Sequence, residues 1–395
     1  MPAVINKDAE TKTVGPGKFR NTGLPKKDIV KRSGAMKRET DSSWIPTWME
    51  LQTYEYPTLG RFNNTTPNVG SKIDHKTLLD SEATIDIDTF ASGMMSGFTS
   101  PSRPWFKLFI EDKAQMEIES VKLWLGDVQD IMYGIFQKSN TYSSLYGMYK
   151  ELACFCTACA YVEEDFDTVI RIRKYTAGEY HLGRDAKGRL NAFYRVFKMQ
   201  VGQMVEKFGL ENLSLQAQLK YTQNHPDDWI TIHHLIEENN DRIPFLADYR
   251  NMPYRSIYWE DGTQDDSYLK VGGYEEFPIL GPRMEIATTT DVYGKGAGWK
   301  ALGAVKELQQ KKREQLIGIS KNNNPPLQKD ASVVGDVQTM PGGITTSSAL
   351  TPNAGVRPTY QVNLDTVGLD NSIKDTKAII RKFFYADLFL MMIEA

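Results

Sequence analysis

The sequence predicts an α+β fold, and three observations predict it. Helical periodicity dominates the chain up to about residue 158. Alternating strand-like segments separated by turn residues then fill the middle. Near the end, two long helical patterns bracket a stretch rich in Pro, Gly, Ser and Thr. Taking the elements in order, residues 1–40 carry much Lys, Thr, Gly and Asp and few large apolar side chains, so they read as a flexible arm. A helix starting late in this segment runs into WIPTWMELQTYEYP and stops at Pro57 and Gly60. KTLLDSEATIDIDTFASGMM sets Leu79, Ala83, Phe90 and Met94 at helical intervals, with Ile85 and Ile87 as its weak points.

The next stretch, SGFTSPSRPWFKLFIED, is a stiff corner. Gly97 ends the helix, and Pro101 and Pro104 bias Ser100 and Arg103 toward extended backbone. Trp105, Phe106, Leu108 and Phe109 then read as a strand supplying apolar area where helices meet the sheet. A second helix after Ile118 presents Val121, Leu125, Val128, Ile131, Met132 and Ile135 on one face, and a third covers TYSSLYGMYKELACFCTA. AYVEEDFDTVIRIRKYT alternates like a strand, and GEYHLGRDAKGRLNAFYRVFKMQ reads as a hairpin around Asp185–Gly188. VGQMVEKFG is a short helix ended by Gly209, and WITIHHLIEEN, SIYWED and YLKVGGYEEFPIL are further strands. GWKALGAVKELQQKKREQLIGISK is a long helix with Leu302, Val305, Leu308, Leu316 and Ile319 on one side, stopped by Pro325 and Pro326. LDNSIKDTKAIIRKFFYADLFLMM is a second, capped by Asp370 or Asn371. Each is about 30 Å long at about 20 residues.

At 395 residues the chain can bury a sizeable core and split into subdomains. Its 41% hydrophobic and 25% charged residues are ordinary for a globular protein, and a net charge of −3 leaves the distribution of charge to decide about polyanions. Cys154, Cys156 and Cys159 fall within six residues and make no disulfide framework, so a reducing compartment is expected. The start, MPAVINKDAETK, lacks the basic and apolar runs of a signal peptide, and no apolar run approaches membrane-spanning length; a soluble, intracellular protein is expected.

No catalytic constellation emerges. YGKGAGWK (Tyr293 to Lys300) opens a helix, as a phosphate loop does, but it lacks both the Gly-Lys-Ser/Thr of such a loop and the dinucleotide spacing. A sharp glycine turn explains it. C-F-C-x-x-C has no partner pair for a four-ligand zinc site, and adjacent His233 and His234 on a strand point to opposite faces; buried packing thiols are expected. Glu163, Glu164, Asp165 and Asp167 read as a solvated strand end, with Glu163, Asp165 and Asp167 on one face and no nucleophile or base to join them. Cofactors and metals: none. One charge feature survives. The first long helix carries Lys306, Lys311, Lys312 and Arg313, the second Lys374, Lys377, Arg381 and Lys382. Such faces are usually solvated or paired with a neighbour; the functional alternative is sequence-independent contact with a phosphate backbone.

Several segments, taken together and in order, carry a resemblance. They are WMELQTYEYPTLGRF (Trp48 to Phe62), ASGMMSGFTSPSRPWFKL (Ala91 to Leu108), WLGDVQDIM (Trp124 to Met132) and SNTYSSLYGMYKELACFCTACAYVEED. AFYRVFKMQVGQMVEKFG, VGGYEEFPILGPR, VYGKGAGWKALGAVKELQ, PPLQ and PGG follow. The chain resembles the head-to-tail connecting (portal) proteins of short-tailed bacteriophages. In the Cys156–Thr157 region, where those proteins tend to have Gly-Thr, it departs from them.

The resemblance implies a structural protein rather than an enzyme, forming a ring, typically of twelve subunits, at one capsid vertex. Each subunit has an α/β wing, a stem of long helices, a small loop and β clip, and a crown. On that template residues 1–40 are the arm, 41–294 the wing, 295–323 and 369–391 stem helices, and 324–368 the clip. Pro325, Pro326, Pro341, Gly342 and Gly343 are then clip residues, and Pro101, Arg103, Pro104 and Trp105 a wing corner, where Arg103 can reach a carboxylate or a neighbouring subunit. Met391 and Met392 lie where a tunnel loop starts, residues 392–395 open that loop, and the crown is absent from this sequence. The eight basic stem residues are candidates to line a lumen passing double-stranded DNA non-specifically during packaging and ejection, with weak, salt-sensitive contact. The implied partners are further copies of the chain, the terminase large subunit that packages DNA, head-tail adaptor and tail proteins, and the major capsid and scaffolding proteins, with no membrane. The implied location is the virion, with the host cytoplasm during assembly. The alternatives are a nucleotide- or metal-dependent hydrolase using the glycine turn and acidic strand, and a capsid-internal scaffold or adaptor that never touches DNA.

Overall fold

Helices come first and a mainly antiparallel sheet follows, as the change of period predicts. A computed structural model describes residues 25–62, 78–243, 248, 251–262, 267–340, 343–348, 355–360 and 365–394. Helix α1 (Lys26–Ser43) occupies much of the expected arm. The sequence places a helix late in this segment but hides its extent, because the inward stripe is Ile29, Ser33, Met36 and Thr40, mostly small or polar residues, yet Ile29, Ser33 and Thr40 are buried. Ile29 packs with Tyr194, Leu235, Ile257 and Trp259. Helix α2 (Ile45–Tyr54) has Pro in its first turn, where no intrahelical N–H is needed. Helix α3 (Glu82–Gly97) ends at the predicted glycine and runs through both β-branched weak points, Ile87 fully buried against the core and Ile85 exposed. The short α4 (Lys113–Met116), α5 (Glu119–Lys138) and α6 (Thr141–Phe155) complete the helical part.

Two sheets follow. The predicted single strand after Ala158 is a hairpin, β1 (Cys159–Asp165) and β2 (Val169–Tyr175), joined by Phe166, Asp167 and Thr168. Asp167 therefore sits in the turn, not on a shared face with Glu163 and Asp165. Strand β1 also pairs with β8 (Ile279–Leu280), so β2 is an edge of this three-stranded sheet. The second sheet is an antiparallel meander of β3 (His181–Arg184), β4 (Leu190–Gln200), β5 (Trp229–Glu238), β6 (Tyr254–Glu260) and β7 (Lys270–Tyr274). Helix α7 (Val201–Phe208) stops at Gly209, whose φ of 81° suits glycine. Helix α8 (Leu215–Thr222) has no counterpart among the predicted elements; the Ser214 hydroxyl caps it by accepting from Ala217 N.

The main core sits where α2, α3 and α6 meet β1, β3 and the start of α9 (Ala297–Asn323). Trp48 is its centre, fully buried with Tyr293 at 4.9 Å and Phe155 at 6.3 Å between ring centroids. Helix α9 is 27 residues, about 40 Å long. Its first half buries Ala301, Val305 and Leu308, whereas Leu316, Ile317 and Ile319 in its second half are exposed. Beyond Pro325 and Pro326 come two small antiparallel pairs, β9 (Leu327–Lys329) with β12 (Val356–Pro358) and β10 (Val333–Val334) with β11 (Thr346–Ser347). The second long helix differs from prediction in both its start and its continuity. Helix α10 (Thr366–Phe383) begins earlier, and the Asp365 side chain, not Asp370 or Asn371, caps it by accepting from Gly368 N. A break at Tyr385, φ 56°, separates it from α11 (Ala386–Glu394).

Candidate functional site

Helices α9 and α10 run antiparallel, since Gln315 Nε2 meets Asp370 Oδ1 at 2.6 Å and Lys311 Nζ meets Thr376 Oγ1 at 2.9 Å. This pairing sorts the eight basic candidates. Lys306 reaches Glu50 Oε2 at 2.8 Å across the ring of Tyr54, and Lys311 pairs with Glu307 at 2.6 Å. Lys377 bridges Asp80 at 2.9 Å and Glu82 at 3.0 Å, and Arg381 Nε donates to Glu82 Oε1 at 2.7 Å. Lys312 donates to Gln315 Oε1 at 3.2 Å, and it forms no ion pair among the described residues, as is also true of Arg313, Lys374 and Lys382. Half the set is thus already neutralised within the chain. Sequence reasoning missed the pairs of Lys306, Lys377 and Arg381 because their acidic partners, Glu50 on α2 and Asp80 and Glu82 at the start of α3, lie more than 200 residues away.

Those partners form a polar joint between α3 and α10. Gln309 of α9 accepts from the Leu79 and Asp80 amides through Oε1 and donates to the Asp80 carbonyl at 2.8 Å, fixing the segment before α3. Glu82 is 5% exposed, so its two cations compensate a charge that burial would penalise. Asp86, one turn on, is 3% exposed and its Oδ2 has no hydrogen-bond partner among the described residues. Burial first, then the Glu82 charge, push its carboxyl up to about 7, against the pull of Arg381 and Lys377. Below this joint, Phe389 of α11 stacks edge-on to Phe90 at 5.2 Å.

The SPSRPWF corner turns at Pro101–Arg103 and then runs without strand pairing, since no sheet among the described residues includes it. Helix α5 takes its backbone groups instead. The Tyr133 hydroxyl accepts from the Trp105 and Phe106 amides at 2.7 and 2.8 Å and donates to the Phe106 carbonyl at 2.8 Å. Phe106 stacks on Tyr133 at 4.4 Å, while Phe109 is 73% exposed. The apolar area therefore meets a helix, not a helix–sheet junction. Arg103 donates to the Ser96 carbonyl at 2.6 Å, closing the corner between Pro101 and Pro104 on its own helix end. The face predicted for α5 is only partly covered: Leu125 is buried, but Ile131 is 62% exposed and Leu123 and Trp124 are exposed beside it.

The remaining motifs fall into place structurally. YGKGAGWK is a turn into α9, and a Cβ at Gly298 would stand 2.1 Å from the Cys154 carbonyl, so only glycine fits. Ala297 and Gly298 are buried, which leaves no path for a phosphate to that helix end. Lys295 lies instead over the rings of Trp44 and Trp299 at 5.9 and 5.8 Å. Glu55, wholly buried beside Cys154, has its carboxyl pushed well above the ordinary range by burial. The three thiols are buried and unpaired, with Cys156 pushed up to about 12 by burial. Among the described residues no group of three or more His, Cys, Asp or Glu side chains could hold a metal. His234 is buried and meets Ser256 Oγ at 3.0 Å, while His233 on the opposite face stacks on Trp259. Pro325 and Pro326 lead into β9, and the Pro326 carbonyl accepts from Thr359 N. Gly343 closes a turn onto the Met340 carbonyl, while Pro341 and Gly342 lie outside the described residues. Met391 and Met392 lie within α11, with Met391 exposed. No described helix is long and apolar enough to cross a membrane.

The chain is similar to known proteins along nearly its whole length. The chain is 39% identical over 368 residues to a probable portal protein of Bordetella phage BPP-1 and 37% identical over 371 residues to a portal protein of Salmonella phage epsilon15. Each match covers 93% of this chain, and the chain spans 66% of the length of each relative. The sequence model of the bacteriophage head to tail connecting proteins matches residues 26–395, from the start of α1 through the long helices. The chain belongs to the bacteriophage head to tail connecting protein family.

Proposed function

We propose that this chain is the portal subunit of a short-tailed phage: a non-catalytic protein that forms a ring, of about twelve copies, at one capsid vertex. The ring is the conduit for double-stranded DNA during packaging and ejection. The observation that carries the reading is the match to two portal proteins along 93% of the chain. The architecture supports it. The α+β body to residue 294 serves as wing, α9 and α10 as stem, and the paired β9–β12 segments between them as clip. There the packaging terminase docks and is later replaced by adaptor and tail proteins, while the wing faces capsid and scaffolding proteins. Apolar side chains left exposed on α5, α9 and α11, including Trp124, Leu316 and Leu388, suit burial between neighbouring copies. Lys312, Arg313, Lys374 and Lys382, which make no ion pair among the described residues, are the stem cations available to graze phosphate; the four paired ones hold the chain's own elements together. Negative-stain images of the full-length protein test the reading: closed rings with a channel wider than a duplex are expected. A monodisperse monomer, or a lumen too narrow for DNA, overturns it.

A further inference from the structure

The joint of α3, α10 and α11 brings four carboxylates to two cations. Two of the carboxylates are served: Asp80 takes Lys377 at 2.9 Å, and Glu82 takes Lys377 at 3.0 Å and Arg381 at 2.7 Å. The third is not. Asp86 follows Glu82 on the same face of α3, is buried, and forms no ion pair among the described residues. Its Oδ2 has no hydrogen-bond partner among them either. The fourth, Asp387 at the start of α11, is exposed and adds like charge. The charged groups acting on Asp86 are thus Glu82 of its own helix, Lys377 and Arg381 of α10, and Asp387 of α11. Helix α6 also packs on α3, but it turns Tyr146, Tyr149 and Lys150 toward Ser92, Thr99 and Asp88, with Lys150 paired to Asp88 at 2.8 Å.

With its proton, Asp86 is a neutral group that can stay buried at modest cost. Without it, a buried carboxylate stands beside Glu82 and Asp387 while both cations are already engaged. The element placed to respond is α11. Helix α10 is tied to α3 by ion pairs, whereas α11 hangs from α10 through Tyr385. Tyr385 is half-exposed and sits at φ 56°, a left-handed backbone that residues with a side chain seldom adopt. The grip of α11 on α3 is apolar: Phe389 is buried edge-on to Phe90 at 5.2 Å and fills the notch at Gly93, where a Cβ would stand 2.2 Å from its ring.

We infer that this joint is a proton-operated latch: α11 is held on α3 while the Asp86 carboxyl carries its proton, and turns away about Tyr385 when the proton is lost. Release moves Asp387 off the cluster, opens Asp86 to water and relaxes the backbone of Tyr385. It also bares Phe389 and the Phe90–Gly93 notch beside Leu388, Leu390 and Met391, which are exposed already, so the apolar surface at this joint grows as the latch opens. The carboxyl of Asp86 is raised in the docked state, to about 7. Docking is therefore favoured fully below the ordinary carboxylate range, and that advantage is lost as pH rises through about 7. The latch belongs to the single chain and does not depend on ring assembly.

Hydrogen exchange in the full-length protein at about pH 5 and about pH 8, corrected for the intrinsic pH dependence of amide exchange, tests the latch. The α11 amides include that of Phe389, which donates to the Tyr385 carbonyl. Across this range their protection is expected to fall at least about tenfold more than that of α6. Asp86→Asn, uncharged at both pH values, is expected to keep this excess loss below about threefold. Asp387→Asn, at an exposed residue, is expected to fall between the two, because one acidic neighbour is gone. A wild-type α11 that loses no more protection than α6 overturns the latch, and so does an Asp86→Asn chain with the wild-type loss. Where circular dichroism shows that Asp86→Asn does not fold, Asp387→Asn decides: a reduced loss supports the latch and an undiminished one overturns it.

Discussion

At Val169 and Asp86 the surrounding structure overrides the local chemistry of the residue. At Val169 the turn of the β1–β2 hairpin demands a left-handed backbone that costs a β-branched residue about 1–2 kcal/mol. Val169→Gly removes that strain but loosens the unfolded chain, so a net stabilisation of up to about 1 kcal/mol is expected in urea unfolding. A loss of stability would show that the valine side chain packs more usefully than its exposure suggests. At Asp86, a carboxyl raised to about 7 is protonated more readily in the folded chain than in the unfolded one. Its stabilising contribution is full below the ordinary carboxylate range and is lost as pH rises through about 7. Asp86→Asn is therefore expected to flatten part of the fall in melting temperature between pH 5 and 8. Glu151, raised to about 7 by burial, acts in the same direction and accounts for some of what remains. An unchanged slope in the variant would remove Asp86 from this role.

Among the elements, the decisive contacts join segments far apart in sequence. Helix α10 is fixed to α3 by Glu82 with Lys377 and Arg381, and α11 to α3 by Phe389 against Phe90 and Gly93. Removing one partner of a buried carboxylate's ion pairs leaves uncompensated charge, but both cations here are part-exposed, so the loss is tempered by solvent. Glu82→Gln is expected to cost about 1–3 kcal/mol and to raise hydrogen exchange in α10 more than in α6. Phe389→Ala, by opening a cavity at Phe90, is expected to cost about 3–5 kcal/mol in urea unfolding. Helix existence was legible from periodicity for α3, α5, α6, α7 and α9. The α1 stripe was not, because Ser33 and Thr40 are buried as polar residues with hydrogen bonds, which a hydrophobic period cannot register. The strand expected after Pro104 failed for a related reason: aromatic β propensity is satisfied here by stacking on α5 rather than by a ladder.

For the whole molecule, charge and exposed apolar surface matter more than net composition. The stem contact with DNA is proposed to involve only cations without an ionic partner among the described residues. Neutralising Lys312, Arg313, Lys374 and Lys382 together is expected to reduce the salt dependence of duplex binding by rings, by about 0.9 in the log–log slope for each phosphate no longer neutralised. Neutralising Lys377 and Arg381 is expected instead to lower the melting temperature and leave that slope unchanged. The reverse pattern, in filter-binding titrations across salt concentrations, would reassign the two groups.

The sequence by itself determined the α+β class, the order of helices and strands, the two long helices around a small β module, and the family. Those properties follow from local periodicity and from segments that hold their order along the chain. Tertiary structure alone decided which basic residues are already paired, where α10 breaks at Tyr385, and that the Pro101–Pro104 corner packs on α5 rather than on a sheet. Ion pairs and grooves depend on atoms brought within a few ångströms by folding. Glu82 and Arg381 are 299 residues apart in sequence and 2.7 Å apart in space, and no reading of spacing contains that distance.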